Sequence, residues 1–303
     1  PFYYYVVAGW TRLVGDGEGA LRFPSAAFGL LGVPLIFGLG RRLFGPGGEW
    51  GRLAAWLGAL WLAVSPLHLY YSQEARMYTL LTALGLAAAS ALIDWLHKPL
   101  PWWQRRDRWA ACIGLCIAAA YTHYYAFALL LAFAVYFLLT WLRRRPRPLL
   151  QEALGALLAL ALAYLPWLPV VLTRYQVDSS YWQGTLKLNE ALRHTLISFT
   201  LGETVGEATA VRLLPGFVGL LILSLLTLTW QGGRAPAPGG PSRGRRGRPS
   251  LRPGPATVGP GPGFRLPFNV LFLACYGLLP VLALLAFSYR NPKFYPRYLK
   301  LAS

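Results

Sequence analysis

Residues 23–40, 53–71, 77–96, 124–142, 149–172, 211–230 and 266–289 are apolar runs, each bounded by charged or Gly/Pro-rich sequence. A helix needs about 20 residues to cross the roughly 30 Å hydrocarbon core of a bilayer, so each of these runs has the length of a transmembrane helix. An eighth run, 109–121, is short by that measure. The expected fold class is all-α, a polytopic integral membrane protein with about eight transmembrane helices in a single domain over residues 1–303.

Composition supports that reading and excludes its rivals. Of the 303 residues, 55% are hydrophobic and 13% charged, about half the charge of an ordinary soluble domain. The apolar content excludes disorder for most of the chain. The three cysteines, Cys112, Cys116 and Cys275, all lie in apolar stretches, so a disulfide scaffold is excluded too. The formal charge of +18 would suit a nucleic-acid binder until the cations are sorted along the chain.

They gather in alternate loops. Arg41, Arg42 and Arg52, then Lys98, Arg105, Arg106 and Arg108, then Arg143, Arg144, Arg145 and Arg147, then the arginines from Arg234 to Arg265 lie on one side of the alternation. The other side holds most of the acids: Asp16, Glu18, Glu74, Asp178, Glu190, Glu203 and Glu207. By the positive-inside rule the basic loops face the cytoplasm. The outer side is then the short loop 72–76, the turn 122–125, the long segment 173–210 and the stretch 290–300. This topology settles the short eighth run. Arg108 and Arg143 share a side, so the residues between them must cross and return with only about 51 Å of helix for two passages of about 30 Å. The turn must be tight, with His123, Tyr124 and Tyr125 at or just below the outer membrane surface.

Residues 232–263 are rich in Gly, Pro and Arg without apolar periodicity, and read as a flexible cytoplasmic linker. An RNA or DNA tether would also use such a stretch, but a positive-inside anchor explains it, and no nucleic-acid partner is assigned. The chain opens at Pro1 without an initiator Met or a charged signal-peptide n-region, and stops a few residues into another apolar run. It reads as the middle of a longer protein.

Charges held at membrane depth are costly and mark function by default. In Tyr70-Tyr71-Ser72-Gln73-Glu74-Ala75-Arg76-Met77-Tyr78 two spans are joined by so few residues that Glu74 and Arg76 are pinned at the interface. One reading is an interfacial anchor with a tyrosine belt. The other is an anion seat, in which Arg76 offers a fork of donors to phosphoryl oxygens, Tyr70, Tyr71 and Tyr78 offer hydroxyls, and Glu74 orients Arg76 or accepts a sugar hydroxyl. His123 lies in an aromatic turn and is either an interfacial hydrogen-bonded residue or a cavity group. His68, one turn before Ser72, can approach the same place. Asp16 and Glu18, in Gly15-Asp16-Gly17-Glu18-Gly19, could hold a metal or act as acid and base, or could be a solvated turn with helix-start charges and Pro24 in the first helical turn. Arg297 and Tyr298 repeat the pattern of a cation beside a phenol at the outer edge.

Several of these elements together resemble the glycosyltransferase family 39 group, the GT-C type membrane transferases related to protein O-mannosyltransferases and the lipid A aminoarabinose transferase. They are Arg22-Phe23-Pro24-Ser25, the span ending Leu39-Gly40-Arg41-Arg42-Leu43-Phe44-Gly45, Ser65-Pro66, Ser72 through Tyr78, Tyr121-Thr122-His123-Tyr124-Tyr125 and Pro296-Arg297-Tyr298. The Ser-Gln-Glu-Ala-Arg-x-Tyr element is the most specific. The resemblance implies an enzyme that takes a sugar from a polyprenyl-phosphate carrier and passes it by an inverting displacement to a protein, lipid or glycan acceptor. It implies a prokaryotic plasma (inner) membrane location with a periplasmic or extracellular active face. Arg76 and Arg297 would contact the donor phosphate, with Glu74, Gln73, Tyr78, His123, Tyr124 and Tyr298 around the cavity and Asp178, Trp182 and Glu190 toward the acceptor. The family's catalytic acid belongs to an outer loop that would lie upstream of Pro1, and Asp16 and Glu18 match its Gly-Asp-x-Glu turn, so no catalytic residue is assigned within the chain. Cofactor need stays open, since a divalent metal would require a ligand set and none is assignable. The rival class, a transporter or lipid flippase, predicts polar residues at mid-span and an internal repeat, and neither is visible.

Overall fold

A computed structural model describes residues 1–45, 49–144, 147–177, 193, 195–198, 200–202, 205–233 and 267–290. Arg297, Tyr298, Asp178, Trp182, Glu190 and the linker from 234 onward lie outside these residues. The described residues form helices and turns with no strand, as the apolar runs require. In order they are α1 (Phe2–Val14), α2 (Glu18–Phe44), α3 (Glu49–Val64), α4 (Pro66–Gln73), α5 (Tyr78–His97), α6 (Trp102–Thr122), α7 (Ala126–Arg144), α8 (Arg147–Tyr164), a 3-10 turn (Leu165–Trp167), α9 (Leu168–Val177), α10 (Glu207–Gly233) and α11 (Phe268–Arg290). Four stretches, Glu18–Phe44, Tyr78–His97, Ala126–Arg143 and Leu149–Thr173, are long and apolar enough to cross a membrane by themselves.

Four elements depart from the apolar runs. The run 53–71 is not one straight helix: it breaks at Ser65 into α3 and α4, bent by 53°. Pro66 has no N–H to continue the ladder, Ser65 N–H closes α3 onto Leu62 O at 3.3 Å, and the Ser65 hydroxyl caps α4 by accepting from His68 N–H at 3.5 Å. The run 149–172 likewise passes through the 3-10 turn at Pro166. Helix α2 starts at Glu18, so Pro24 lies beyond its first turn; a Glu18–Arg22 ion pair at 2.5 Å supports the added N-terminal turn. The short eighth run gains length in the same way. Helix α6 begins at Trp102, ahead of Arg105, and its 21 residues reach about 31 Å.

Helix α5 is the centre of the bundle. It packs against α2, α4, α6 and α7, and is buried along most of its length. Its Ala83, Gly85, Ala88, Ala89 and Ala91 let neighbours approach closely, which is how helices associate where water gives no hydrophobic drive. By contrast Leu30 on α2, Trp56, Leu57 and Leu60 on α3, and Leu154, Leu157 and Leu158 on α8 are exposed. Contiguous apolar faces of this kind suit acyl chains and would be unstable in water.

Between α2 and α3 the fit depends on one missing side chain. A Cβ on Gly40 would stand 2.9 Å from Ala55 Cα and 3.1 Å from Ala55 Cβ, so the helices would have to part. We expect Gly40→Val to cost about 1–3 kcal/mol, read as a lower thermal unfolding midpoint in detergent. Gly114→Ala on α6, with open space around the new methyl, is expected to leave that midpoint unchanged or raise it.

Polar contacts gather at the two ends of the bundle. At the arginine-rich end, Arg42 Nε donates to both carboxylate oxygens of Asp94 at 3.2 Å and Lys98 Nζ stands 2.7 Å from Oδ1. Nearby, Glu152 accepts from Trp95 Nε1 at 2.8 Å and Arg105 NH2 at 2.5 Å. His97 Nε2 lies 2.7 Å from Tyr136 Oη, and its ring stacks on Phe268. These contacts join the ends of α2, α5, α6, α7, α8 and α11 expected on one side by the alternation of basic loops. Asp94 ends a run read as apolar; its partners explain why a carboxylate can be buried there.

Candidate functional site

At the opposite end, the link between α4 and α5 presents Arg76. Glu74 leaves α4 in an extended conformation, Arg76 N–H donates to Glu74 O at 2.7 Å, and the chain re-enters a helix through Met77, whose carbonyl accepts from Leu81 N–H at 3.0 Å. This four-residue return leaves the side chains of Glu74 and Arg76 no long loop on which to swing. Arg76 Nε stands 3.3 Å from Glu74 Oε2, with the Arg76 side chain about half exposed. Burial opposes the Arg76 charge, but the Tyr78 hydroxyl and the Glu74 carboxylate outweigh it and hold the guanidinium above its ordinary pKa. Glu74 Oε2 is shielded from solvent and makes no hydrogen bond among the described residues, so beyond its ion pair it keeps capacity to accept one. The Tyr71 and Tyr78 rings meet edge to face at 4.6 Å, and Tyr70 packs on Tyr71 at 5.3 Å.

Helix α2 lies against this link. Ser25 Oγ donates to Arg76 O at 3.0 Å and is 2.6 Å from Tyr3 Oη of α1. One turn along, Gly29 has no side chain where Ser72 sits: a Cβ there would overlap Ser72 Oγ. The Gly29 carbonyl is 3.0 Å from His68 Nε2, and Ser72 Oγ donates to His68 O at 2.7 Å. The short helix α4 is thus docked on α2 through His68 and Ser72. Of these residues, His68 was expected near the site; Tyr3, Ser25 and Gly29 were not placed there. The signal at hand was Ser25 at the end of the family-like Arg22-Phe23-Pro24-Ser25 element.

His123 joins the site from the α6–α7 turn. Its ring centre is 6.0 Å from that of Tyr78, 4.3 Å from Tyr124 and 4.5 Å from Tyr125. Its Nδ1 accepts Tyr125 N–H at 3.1 Å, which assigns the neutral ring's proton to Nε2. Burial lowers its pKa to about 4, so at neutral pH it is a neutral donor at Nε2 rather than a charged group. A depressed histidine pKa means that the unfolded chain binds the proton more readily. Stability should therefore fall as pH drops through 6.5 toward 4, by an order of a few kcal/mol. The expected result is a thermal midpoint that declines between pH 7 and pH 4.5, with the decline reduced in His123→Gln.

The other expected residues are placed less centrally. Gln73 is exposed at the end of α4, and Tyr124 is exposed in its turn. Asp16 lies exposed between α1 and α2, and Glu18 pairs with Arg22 of its own helix; no described hydrogen bond or ion pair joins either to Arg76. Among the described residues no group of three His, Cys, Asp or Glu side chains has metal-binding spacing.

The family model of the dolichyl-phosphate-mannose-protein mannosyltransferases matches residues 1–171. The chain belongs to this family. The match runs from α1 into α9 and takes in Tyr3, Ser25, Arg76 and His123, so every residue of the site just described lies in the part that defines the membership. The protein is accordingly a membrane glycosyltransferase of the GT-C kind, with multi-pass architecture. No curated protein and no solved structure matches the chain. Within the mannosyltransferase-family region, the Arg76 link is where a fixed cation, a carboxylate with spare acceptor capacity and a cluster of phenols come together.

Proposed function

We propose that this family member transfers a sugar from a polyprenyl-phosphate donor to an acceptor at the outer face of a plasma membrane, with the donor phosphate held by Arg76. The observation that carries the reading is the presentation of Arg76: a half-exposed guanidinium on a pinned backbone, at the end of the bundle opposite the arginine-rich loops. The positive-inside rule makes that end the outer one. A leaving phosphate gains negative charge as the glycosidic bond breaks, and a fixed fork of donors stabilises that charge without reorganising. Glu74, paired with Arg76 through Oε2, would accept a hydroxyl of the donor sugar on the part-exposed side of its carboxylate. Neutral His123 would line the cavity with Tyr78 and Tyr124. Arg297 would make a second phosphate contact, and the segment 173–210 would select the acceptor.

The test is transfer by the full-length protein in liposomes from a panel of polyprenyl-phosphate hexoses and pentoses, against the same sugars carried on nucleotides. Label is expected to move only from the lipid donors, and only from those accessible to the Arg76 face. Transfer from nucleotide sugars alone would overturn the reading. Deleting residues 234–263 is expected to leave turnover within about twofold, because this Gly-, Pro- and Arg-rich sequence reads as a linker and holds none of the proposed site residues.

A further inference from the structure

The arrangement of Tyr3, Ser25 and the Arg76 backbone has a direction that assigns each group a task. A serine hydroxyl has one proton. Ser25 spends it on the Arg76 carbonyl at 3.0 Å, an atom that can only accept. The 2.6 Å contact with Tyr3 must then run from the tyrosine hydroxyl to Ser25 Oγ. The chain is Tyr3 O–H to Ser25 O–H to Arg76 C=O, linking α1, α2 and the α4–α5 link. Both side chains are shut away from solvent, Tyr3 at 1% and Ser25 at 0% exposure, so water cannot replace either member. On its other side the Arg76 backbone is held by its own N–H on Glu74 O at 2.7 Å. Both polar groups of the Arg76 backbone are therefore fixed, while its side chain remains about half exposed.

We infer that Tyr3 and Ser25 are positioning residues for the anionic headgroup of the lipid donor: they hold the Arg76 backbone so that the guanidinium meets a phosphate already in place. The inference rests on the proposed phosphate contact of Arg76. Neither residue touches the donor. Their contribution is preorganisation, which raises affinity by reducing what must be ordered on binding. A merely structural role would lower the stability of the bundle and weaken all variants alike.

The test uses the full-length protein in nanodiscs and a synthetic polyprenyl monophosphate without a sugar, so that the identity of the sugar does not enter. Affinity is measured for wild type, Tyr3→Phe, Ser25→Ala, Arg76→Ala and the combination of Ser25→Ala with Arg76→Ala, each checked for its thermal midpoint. Ser25→Ala is expected to weaken binding about tenfold and Tyr3→Phe about threefold, magnitudes typical of a lost buried hydrogen bond. In the Arg76→Ala background, Ser25→Ala is expected to add nothing. Equal weakening by Ser25→Ala in both backgrounds, or unchanged binding in the single variant, would overturn the positioning role while leaving the phosphate seat intact. Unchanged binding in Arg76→Ala would remove the seat itself, and the inference with it.

Discussion

Replacing Arg76 with alanine is expected to lower transfer from a polyprenyl-phosphate donor on the order of 10²-fold or more in kcat/KM, the usual cost of removing one fixed donor from a developing oxyanion. The fold should survive. Arg76 is about half exposed and its ion pair with Glu74 is partly solvated, so its loss subtracts little from stability. Lysine would separate charge from geometry. It keeps the positive charge but presents a compact ammonium instead of a planar fork, so Arg76→Lys should recover only part of the lost rate. Glu74→Gln should act mainly on donor affinity, because the carboxylate 3.3 Å from Arg76 Nε helps orient the guanidinium. The measurement is steady-state transfer in liposomes with the thermal midpoint alongside. Wild-type kinetics in Arg76→Ala would remove the phosphate seat from the mechanism.

The second large effect lies at the other end of the bundle and concerns stability. Asp94 is 1% exposed and receives Arg42 through both carboxylate oxygens and Lys98 through one. Removing the carboxylate leaves two cations facing each other beside the α5 helix. Breaking a fully buried pair costs about 3–5 kcal/mol, but Arg42 and Lys98 are partly exposed and can turn toward headgroups and water. About 2 kcal/mol is therefore the expected loss for Asp94→Ala, read as a lower unfolding midpoint. Replacing Arg42 and Asp94 together by leucine should return most of it, since apolar residues fill the space and the one cation left, Lys98, is about half exposed and can turn to water. A double variant no more stable than Asp94→Ala would show that the pair does not account for the loss.

The residues that were legible in the sequence and those that were not differ in how far away their partners are. The helices follow from unbroken apolar length, a property of each segment alone. Arg76 and Glu74 stood out because a charge in a very short link has nowhere to go, which is again local. The break at Pro66 was missed because average hydropathy does not register one lost N–H, although Ser65-Pro66 is a helix-start signal. Tyr3 and Ser25 gave no such notice. Each is a single polar group on an apolar face, and each finds its partner across a separation of 22 or 51 residues. Asp94 shares this only in part: Lys98 is four residues on, but Arg42, which meets both its carboxylate oxygens, is 52 residues away. Small polar residues inside membrane helices become informative only when the helix against which they pack is known.

The two belts of polar contacts also set a length. Along α2, Ser25 marks one belt and Arg42 the other, and the helix between them rises about 26 Å. That is a few ångströms less than the hydrocarbon thickness of an average bilayer, and lipid meets such a mismatch by thinning around the protein. The headgroup plane would dip where it borders the Arg76 link. A long-chain phosphate drifting in the membrane would then reach the guanidinium by lateral diffusion along a lowered surface, without its charge having to enter the hydrocarbon.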